Sequence, residues 1–175
     1  MTFIHTALTC EAKPIVEYFK LQCMQTKPYK IYKKNNIILI VSGIGKEKTA
    51  LYVKDIFKKF NIKKAINVGI VGCKNKKIKI GSLFCTNRRL ENIQHATLTS
   101  VDKALENNEN LKTTLVDMEA KMFLHVSSKF LSQKDIYVLK VVSDHLDTTI
   151  PKKEFVWNII EKNLKDMSKI VTSQN

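Results

Sequence analysis

The sequence lacks a long hydrophobic segment. No apolar run in its 175 residues approaches the roughly 18 that a membrane-spanning helix needs. Its first residues, Met1 to His5, also lack the basic start and the apolar core of a cleavable signal peptide. We therefore expect a cytoplasmic protein with no membrane partner.

Closely spaced cysteines are lacking as well. The four cysteines, at positions 10, 23, 73 and 85, never form a Cys-x-x-Cys pair. This spacing argues against a zinc site and against a dense disulfide framework, and it favours four reduced, partly buried thiols. The sequence predicts neither a metal nor a cofactor.

Arginine is scarce, although the chain is strongly basic. Of 30 basic residues 28 are lysine, spread along the whole chain, and only Arg88 and Arg89 offer a bidentate fork for phosphates or bases. The formal net charge of +14 and the run 74–79, which has four lysines, would suit nucleic acid. No aromatic-rich nucleic-acid module accompanies them. We interpret the charge as a solvated lysine surface and keep nucleic-acid binding as a less favoured alternative.

Complete phosphate-binding motifs are absent too. The turn Ser42-Gly43-Ile44-Gly45-Lys46 permits positive φ angles and a close backbone approach before a predicted helix. It has no Gly-Lys-Ser/Thr ending, which excludes a P-loop, and no third glycine, which a dinucleotide fingerprint requires. The motif alone is therefore weak evidence for any ligand.

What the sequence does contain is an alternation of apolar strands and amphipathic helices. At 175 residues and 44% hydrophobic content, a single globular domain over residues 1–175 is expected. Periodicity predicts strands at 3–8, 29–32, 37–41, 65–71, 82–86, 96–100 and 136–142. It predicts helices that end near 23, with Pro14 in the first turn, and at 46–60, 117–130 and 152–170. This alternation predicts a three-layer α/β sandwich with a central mixed β-sheet flanked by helices.

Carboxylates stand at element boundaries where simple packing does not require them. Glu119 falls in the first turn of a predicted helix, and Asp144 falls just past a predicted buried strand. Two carboxylates in a cleft at the carboxyl end of a sheet are typical of acid/base chemistry. The alternatives are structural: Glu11 and Glu119 as helix N-terminal residues favoured by the macrodipole, and Asp144 as a cap or turn residue.

Taken in order, five short segments resemble the nucleoside phosphorylase/nucleosidase superfamily, and most closely 5'-methylthioadenosine/S-adenosylhomocysteine nucleosidases. They are Ala7-Leu8-Thr9-Cys10-Glu11, Ser42-Gly43-Ile44-Gly45-Lys46, Ile66-Asn67-Val68-Gly69-Ile70-Val71-Gly72, Val116-Asp117-Met118-Glu119-Ala120 and Val142-Ser143-Asp144-His145-Leu146-Asp147.

The resemblance implies cleavage of the N-glycosidic bond of a purine nucleoside by a homodimer. It implies that Asp144 donates a proton to the purine N7 and that Glu11 holds and deprotonates the attacking water. Glu119 would bind the ribose hydroxyls and Met118 would pack against the sugar. The remaining substrate-binding residues implied are Val71, Gly72 and Ser143.

The sequence also departs from the family pattern. The stretch between Gly81 and Met118 is shorter than in the family, Ala104 stands where nucleosidases place a stacking aromatic, and Ile70 replaces a usual hydroxyl residue. The arginines that grip phosphate in the phosphorylases have no evident counterparts. We therefore expect hydrolysis of a methylthioadenosine/S-adenosylhomocysteine-like or futalosine-like nucleoside. The alternatives are a phosphorolytic purine nucleoside phosphorylase and a catalytically degenerate nucleoside-binding relative.

Overall fold

A ten-stranded β-sheet forms the centre of the protein in a computed structural model, which describes residues 1–102, 111–146, 149 and 151–173. The strands are β1 (Thr2–Thr6), β2 (Gln22–Gln25), β3 (Lys30–Lys34), β4 (Ile37–Val41), β5 (Lys64–Cys73), β6 (Leu83–Cys85), β7 (Gln94–His95), β8 (Leu98–Ser100), β9 (Leu115–Asp117) and β10 (Ile136–Asp144). The helices are α1 (Thr9–Tyr18), α2 (Lys46–Lys59), α3 (Ala120–Ser127), α4 (Lys153–Glu161) and α5 (Leu164–Thr172). Within the residues described, no helix is both long enough and apolar enough to cross a bilayer.

The sheet is mixed, which confirms the fold class predicted from the sequence. Its strand order is β2-β3-β4-β1-β5-β10-β6-β7, with β9 paired to the end of β5 and β8 paired to β9. The central strands β4, β1, β5 and β10 run parallel. β2 and β3 pair antiparallel with their neighbours, and β6 runs antiparallel to β10 but parallel to β7. The carboxyl ends of the four central strands therefore meet at one edge, where sheets of this kind open their sites.

Helices cover both faces of the sheet because successive strand side chains point to opposite faces. On one face, Ile4, Ile66 and Leu139 pack with residues of α1, α4 and α5. On the other face, Phe3, Ala65 and Val138 pack with residues of α2 and α3. The helices α1, α2, α3 and α4 follow β1, β4, β9 and β10 in the chain. Their first turns and the loops before them therefore lie near the carboxyl ends of the strands.

Several predicted elements differ from the observed ones near α1. The helix begins at Thr9 and ends at Tyr18, so Pro14 lies in its second turn and the predicted extension to residue 23 is wrong. Lys20 has a φ of 53°, a left-handed conformation that a helix does not continue through. The following residues, Gln22–Gln25, form an edge strand against β3 instead.

The predicted final helix is two helices. Asn163 separates α4 from α5, and its side-chain amide donates to the carbonyls of Ile159 and Gly81. An asparagine that satisfies a terminal carbonyl ends the helix, and the bond to Gly81 fixes the break against the loop before β6.

Candidate active site

A cavity of about 240 Å³ opens at the carboxyl ends of the central strands. Its lining includes all seven residues that the sequence predicted for the site: Glu11, Val71, Gly72, Met118, Glu119, Ser143 and Asp144. They come from α1, β5, the segment between β9 and α3, and the end of β10. The fold therefore brings together residues that lie up to 133 positions apart in the sequence. Their chemical roles stay predictions.

Glu11 is buried and its carboxylate is held by three backbone amides. Ala7 and Leu8 donate to Oε2 at 3.0 and 2.8 Å, and Ile70 donates to Oε1 at 3.0 Å. Burial raises the pKa of Glu11 to about 7, against the lowering effect of the amides and of the nearby charge of Lys140. The bond from Leu8 is also half of a helix capping box, so the structural reading of Glu11 is correct as well. A carboxyl group poised near neutral pH can accept a proton from a bound water.

Glu119 precedes α3 rather than lying in its first turn, which corrects the helix start predicted at residue 117. Asp117 belongs to β9, and its Oδ2 accepts a hydrogen bond from the Ala120 amide at 2.9 Å. This bond satisfies the first backbone amide of the helix, which begins at Ala120 with Glu119 at the N-cap position. Glu119 is free to reach across the cavity, where its Oε1 accepts a hydrogen bond from the Gly45 amide at 3.0 Å. Burial raises the pKa of Glu119 too, against the opposing charge of Lys140.

Asp144 ends β10, two residues beyond the predicted strand. Ser143 Oγ donates to its Oδ2 at 2.6 Å, and the Leu146 amide donates to its Oδ1 at 2.9 Å. Ser143 Oγ also lies 3.2 Å from the carbonyl oxygen of Val71. The side chain is thus both a turn residue, as the structural alternative held, and a wall of the cavity.

Gly72 leaves the room that Asp144 needs. A Cβ on Gly72 would lie 3.1 Å from Asp144 Oδ1 and only 2.8 Å from Leu146 Cδ2. Leu146 itself has a φ of 63°, a conformation that costs a branched, bulky residue free energy and that clusters at functional sites. The register between β5 and β10 is irregular at this point, between Val142 and Asp144.

Sequence reasoning missed the buried ion pair between Lys140 and Asp117 at the site. Lys140, in the middle of β10, is 1% exposed, and its Nζ forms an ion pair with Asp117 Oδ2 at 2.7 Å. The signal was present, because a lysine interrupts a run of seven otherwise apolar or aromatic residues, 136–142. A charge inside a strand buried on both faces requires a partner.

His5 belongs to the same buried polar layer. Its ring nitrogens contact Ser42 Oγ at 2.9 Å and Asn67 Nδ2 at 2.8 Å, and its ring stacks on Phe123. Because the Asn67 amide donates to Nδ1, the Nε2 hydrogen points to Ser42. Burial and the charge of Lys140 together lower the pKa of His5 to about 3, against the opposing charge of Asp117. His5 is therefore a neutral support of the sheet interior.

The other residues that the sequence singled out lie in different parts of the structure. Ile70 lines the cavity, as the substitution of a hydroxyl residue implied. Ala104 and Asp147 lie outside the described residues. Arg88 donates to the carbonyls of Lys134 and Gln133 and covers the ring of Tyr137, away from the cavity. Across residues 1–102, 111–146, 149 and 151–173, no group of three or more His, Cys, Asp or Glu side chains is arranged to hold a metal ion.

Comparison with known proteins gives a family and a fold. Residues 11–105, more than half of the chain, match the family model of the phosphorylase superfamily. No curated protein sequence matches the chain significantly.

Solved structures resemble the chain over nearly its whole length. A futalosine hydrolase mutant of Helicobacter pylori has a TM-score of 0.81 at 18% identity, with 97% of each chain covered. A 5'-methylthioadenosine/S-adenosylhomocysteine nucleosidase of Helicobacter pylori, with butyl-thio-DADMe-Immucillin-A, gives the same values. The corresponding Campylobacter jejuni nucleosidase has a TM-score of 0.79 at 16% identity, again with 97% of each chain covered. At these identities the similarity establishes a shared fold.

Proposed function

The chain belongs to the phosphorylase superfamily, and we propose that it is an N-glycosyl hydrolase that cleaves a purine nucleoside into base and sugar. The observation that carries the proposal is the convergence of Glu11, Glu119 and Asp144 on one cavity at the carboxyl edge of the sheet. Bond cleavage of this kind passes through a positively charged, oxocarbenium-like sugar, which nearby carboxylates stabilise. The similarity to a nucleosidase and a futalosine hydrolase supports the same reaction class.

Asp144 acts as the acid that protonates the leaving base at N7. Its neighbour Ser143 suits that task because a hydroxyl carries a single hydrogen. Ser143 Oγ lies within hydrogen-bond distance of both the Val71 carbonyl oxygen and Asp144 Oδ2, and its hydrogen can be donated to either one. Once Asp144 has given its proton to N7, Ser143 donates to the new carboxylate and stabilises it without movement of the backbone.

Glu11 acts as the base that holds and deprotonates the attacking water. Three amides fix its carboxylate, and its raised pKa keeps it basic enough to take a proton near neutral pH. Glu119, anchored through one oxygen by Gly45, binds the ribose hydroxyls, and Met118 packs against the sugar. Val71, Gly72 and Ser143 complete the substrate-binding wall.

Backbone hydrogen bonding favours water over phosphate as the nucleophile. A phosphate dianion needs amides, hydroxyls or arginine forks. Within the described part of the chain, amides at this end of the sheet already donate to carboxylates: Ala7, Leu8 and Ile70 to Glu11, Gly45 to Glu119, and Leu146 to Asp144. An incoming dianion would meet carboxylates where it requires donors, so phosphorolysis is disfavoured.

The substrate is a nucleoside with a purine-like base, of the methylthioadenosine/S-adenosylhomocysteine or futalosine type. The lining is mainly apolar and includes Leu8, Ile44, Val101 and Leu146, which suits the flat faces of a base and an uncharged part of the sugar side arm.

The cavity lining runs from Ala7 to Pro151, which supports one domain over residues 1–175. The four cysteines of the chain are free thiols, which supports a location in the reducing cytoplasm. A homodimer is part of the proposal.

A nucleoside panel tests the function. The protein is incubated with methylthioadenosine, S-adenosylhomocysteine, futalosine, adenosine and inosine, with and without inorganic phosphate, and the released base and sugar are separated by chromatography. We expect free base and free sugar at rates indifferent to phosphate, and at least a hundredfold less product from Asp144→Asn, because a positioned acid contributes on the order of 10²–10⁴ in rate.

Two results would redirect the proposal. Formation of ribose 1-phosphate, or turnover that rises strongly with phosphate, identifies a phosphorylase. Calorimetric binding of a nucleoside without release of its base identifies a non-catalytic nucleoside-binding relative.

A further inference from the structure

A cation is buried behind the floor of the cavity. Lys140 is 1% exposed, and the side chain of its partner Asp117 is equally buried. Asp117 lines the cavity, whereas Lys140 is not among the lining residues. The ammonium group therefore stands one layer deeper than the carboxylates that face a ligand.

Asp117 fixes the position of this ammonium group. Its Oδ1 accepts from Ser100 Oγ at 2.5 Å, and its Oδ2 accepts from the Ala120 amide at 2.9 Å and from Lys140 Nζ at 2.7 Å. Donors from β8, α3 and β10 thus hold one carboxylate from three directions. Those contacts and the neighbouring charges keep the pKa of Asp117 below its ordinary value although burial alone would raise it. An anion tied in this way makes a rigid anchor for Lys140.

The backbone at Gly69 brings Lys140 close to Glu11. Gly69 pairs in register with Lys140 across β5 and β10. A Cβ on Gly69 would lie 3.1 Å from Glu11 Oε1 and 3.2 Å from Lys140 Nζ, so both charged groups border the same small space. The charge of Lys140 also acts on Glu119 from the same place.

We infer that Lys140 is a positioning residue, an ammonium group that is anchored by Asp117 behind the cavity and acts on the substrate only through the carboxylates of Glu11 and Glu119. The inference rests on the proposed function for its catalytic consequence, although the electrostatic relation between the residues stands without it. Among the residues that the structure describes, the carboxylates of Glu11, Asp117 and Glu119 share this interior with the ammonium group of Lys140. Without the cation, ionised Glu11 would face two anions in a medium of low dielectric constant, and its neutral form would be favoured.

The other described ionisable groups around Glu11 do not supply the positive charge that Lys140 provides. His5, from β1, is neutral because burial lowers its pKa to about 3. The groups on the other elements around this end of α1 are Asp117 (β9), Glu119 (before α3), Asp144 and Lys140 (β10), Lys153 (α4, beside Cys10) and Lys30 (β3, bonded to Thr9). Lys30 Nζ donates to Thr9 Oγ1, the charge of Lys153 acts on Cys10, and neither lysine is among the groups that shift the pKa of Glu11.

The test compares two neutral replacements of buried lysines. Lys140→Met alone would leave Asp117 as an unpaired buried anion and so risks unfolding. The double variant Lys140→Met/Asp117→Asn removes both charges and keeps the side-chain shapes. Lys64→Met is the matched control: Lys64 is also buried in the sheet, but its Nζ donates to the carbonyls of Ile170 and Ser173 at the opposite end of the strands.

The Glu11 side-chain carboxyl is titrated by ¹³C NMR in each folded protein, and the pH dependence of kcat/KM is recorded with the best nucleoside substrate. We expect Glu11 in the double variant to titrate at higher pH than in the wild type, by up to about one pH unit, because Lys140 borders the same space as the Glu11 carboxylate and its loss outweighs the loss of the Asp117 charge. The acidic limb of the rate profile should move by the same amount, so that raising the pH restores most of the activity. Lys64→Met should leave both curves unchanged.

An unchanged Glu11 titration in the folded double variant would overturn the inference, whatever its activity. A displaced titration with activity lost equally at every pH would overturn the claim that Lys140 acts only through the carboxylates. If the wild type cleaves no nucleoside while the Glu11 titration moves as expected, the proposed function fails and the electrostatic role of Lys140 stands.

Discussion

Glu11 shows how one side chain can satisfy a structural and a chemical requirement together. Its carboxylate closes the first turn of α1 through Leu8 and joins α1 to β5 through Ile70. The same bonds hold it at the cavity wall in a fixed orientation. Its burial has an energetic consequence, because the folded protein binds the Glu11 proton more tightly than the unfolded chain does.

The stability of the protein should therefore fall with rising pH because of Glu11. The pKa of its carboxyl rises from an ordinary 4.5 in the unfolded chain to about 7 in the fold. The stabilisation from the neutral acid is complete below pH 4.5 and is lost as the pH rises through 7, by on the order of 2–3 kcal/mol. We expect urea unfolding to show that wild type loses this much relative to Glu11→Gln between pH 4.5 and pH 8.

A surface variant provides the comparison for that measurement. Glu161→Gln changes an exposed carboxyl at the end of α4 and should give a curve parallel to that of the wild type. If the difference between wild type and Glu11→Gln is also independent of pH, Glu11 is not protonated in the folded protein over this range.

At the scale of single residues, the sequence predicted the carboxylates at the strand ends but not the buried ion pair of Asp117 and Lys140. Asp144 and Glu119 stand beside apolar runs, where a carboxylate is conspicuous. The partner of Lys140 is Asp117, 23 residues earlier, and the two meet only because β9 pairs with the end of β5, next to β10. Spacing along a single chain carries no information about such a pairing.

At the scale of elements, the junction between β5 and β10 controls the acid. Gly72 faces Asp144 across the irregular end of this strand pair, and any Cβ at this position would require Leu146 or Asp144 to shift. The geometry of the proton donor thus depends on an amino acid that has no functional group.

Gly72→Ala should therefore impair catalysis. Its Cβ would lie 2.8 Å from Leu146 Cδ2, so Leu146 or the adjoining Asp144 must move. We expect kcat/KM to fall by about 10- to 100-fold, since small misplacements of a catalytic group carry costs of that order. Steady-state kinetics on the purified variant give the measurement.

The double variant Gly72→Ala/Leu146→Ala separates crowding from other causes. Removal of the Leu146 branch relieves the shortest contact, so part of the activity should return relative to Gly72→Ala. A double variant as impaired as the sum of both single variants would show that Gly72 matters for another reason.

Most elements were predictable from periodicity, and the exceptions have identifiable causes. The strands β1, β3, β4, β5 and β10 and the helix α2 appear close to their predicted positions. β2 is polar and exposed, so it carries no hydrophobic pattern and forms only because β3 offers a free edge. The break between α4 and α5 depends on the bond from Asn163 to Gly81, a contact between residues 82 positions apart.

At the scale of the whole molecule, exposed apolar side chains point to self-association. Leu51, on the outer face of α2, is 62% exposed, and Ile44, at the cavity and just before α2, is 51% exposed. Burial in a contact between two copies would remove such side chains from water. We therefore propose that α2 lies at the contact of the proposed homodimer.

Light scattering coupled to size-exclusion chromatography tests that arrangement. We expect a dimer mass for the wild type and a monomer mass for Leu51→Glu, because a carboxylate would be desolvated at the contact. Lys54→Glu makes the same anion at another exposed position of α2 and should remain dimeric. A monomeric wild type at micromolar concentration contradicts the proposal.

The placement of α4 and α5 has a consequence for the protein during its synthesis. These helices cover the sheet face that carries Ile4, Ile66 and Leu139, yet they occupy residues 153–172, which leave the ribosome after every strand. The growing chain must therefore pass through a stage in which all the described strands have been made and α1 alone covers this apolar face. At that stage the nascent protein should be prone to aggregation. It should therefore depend on chaperones that shield apolar surface, and more strongly than is usual for a protein of its size.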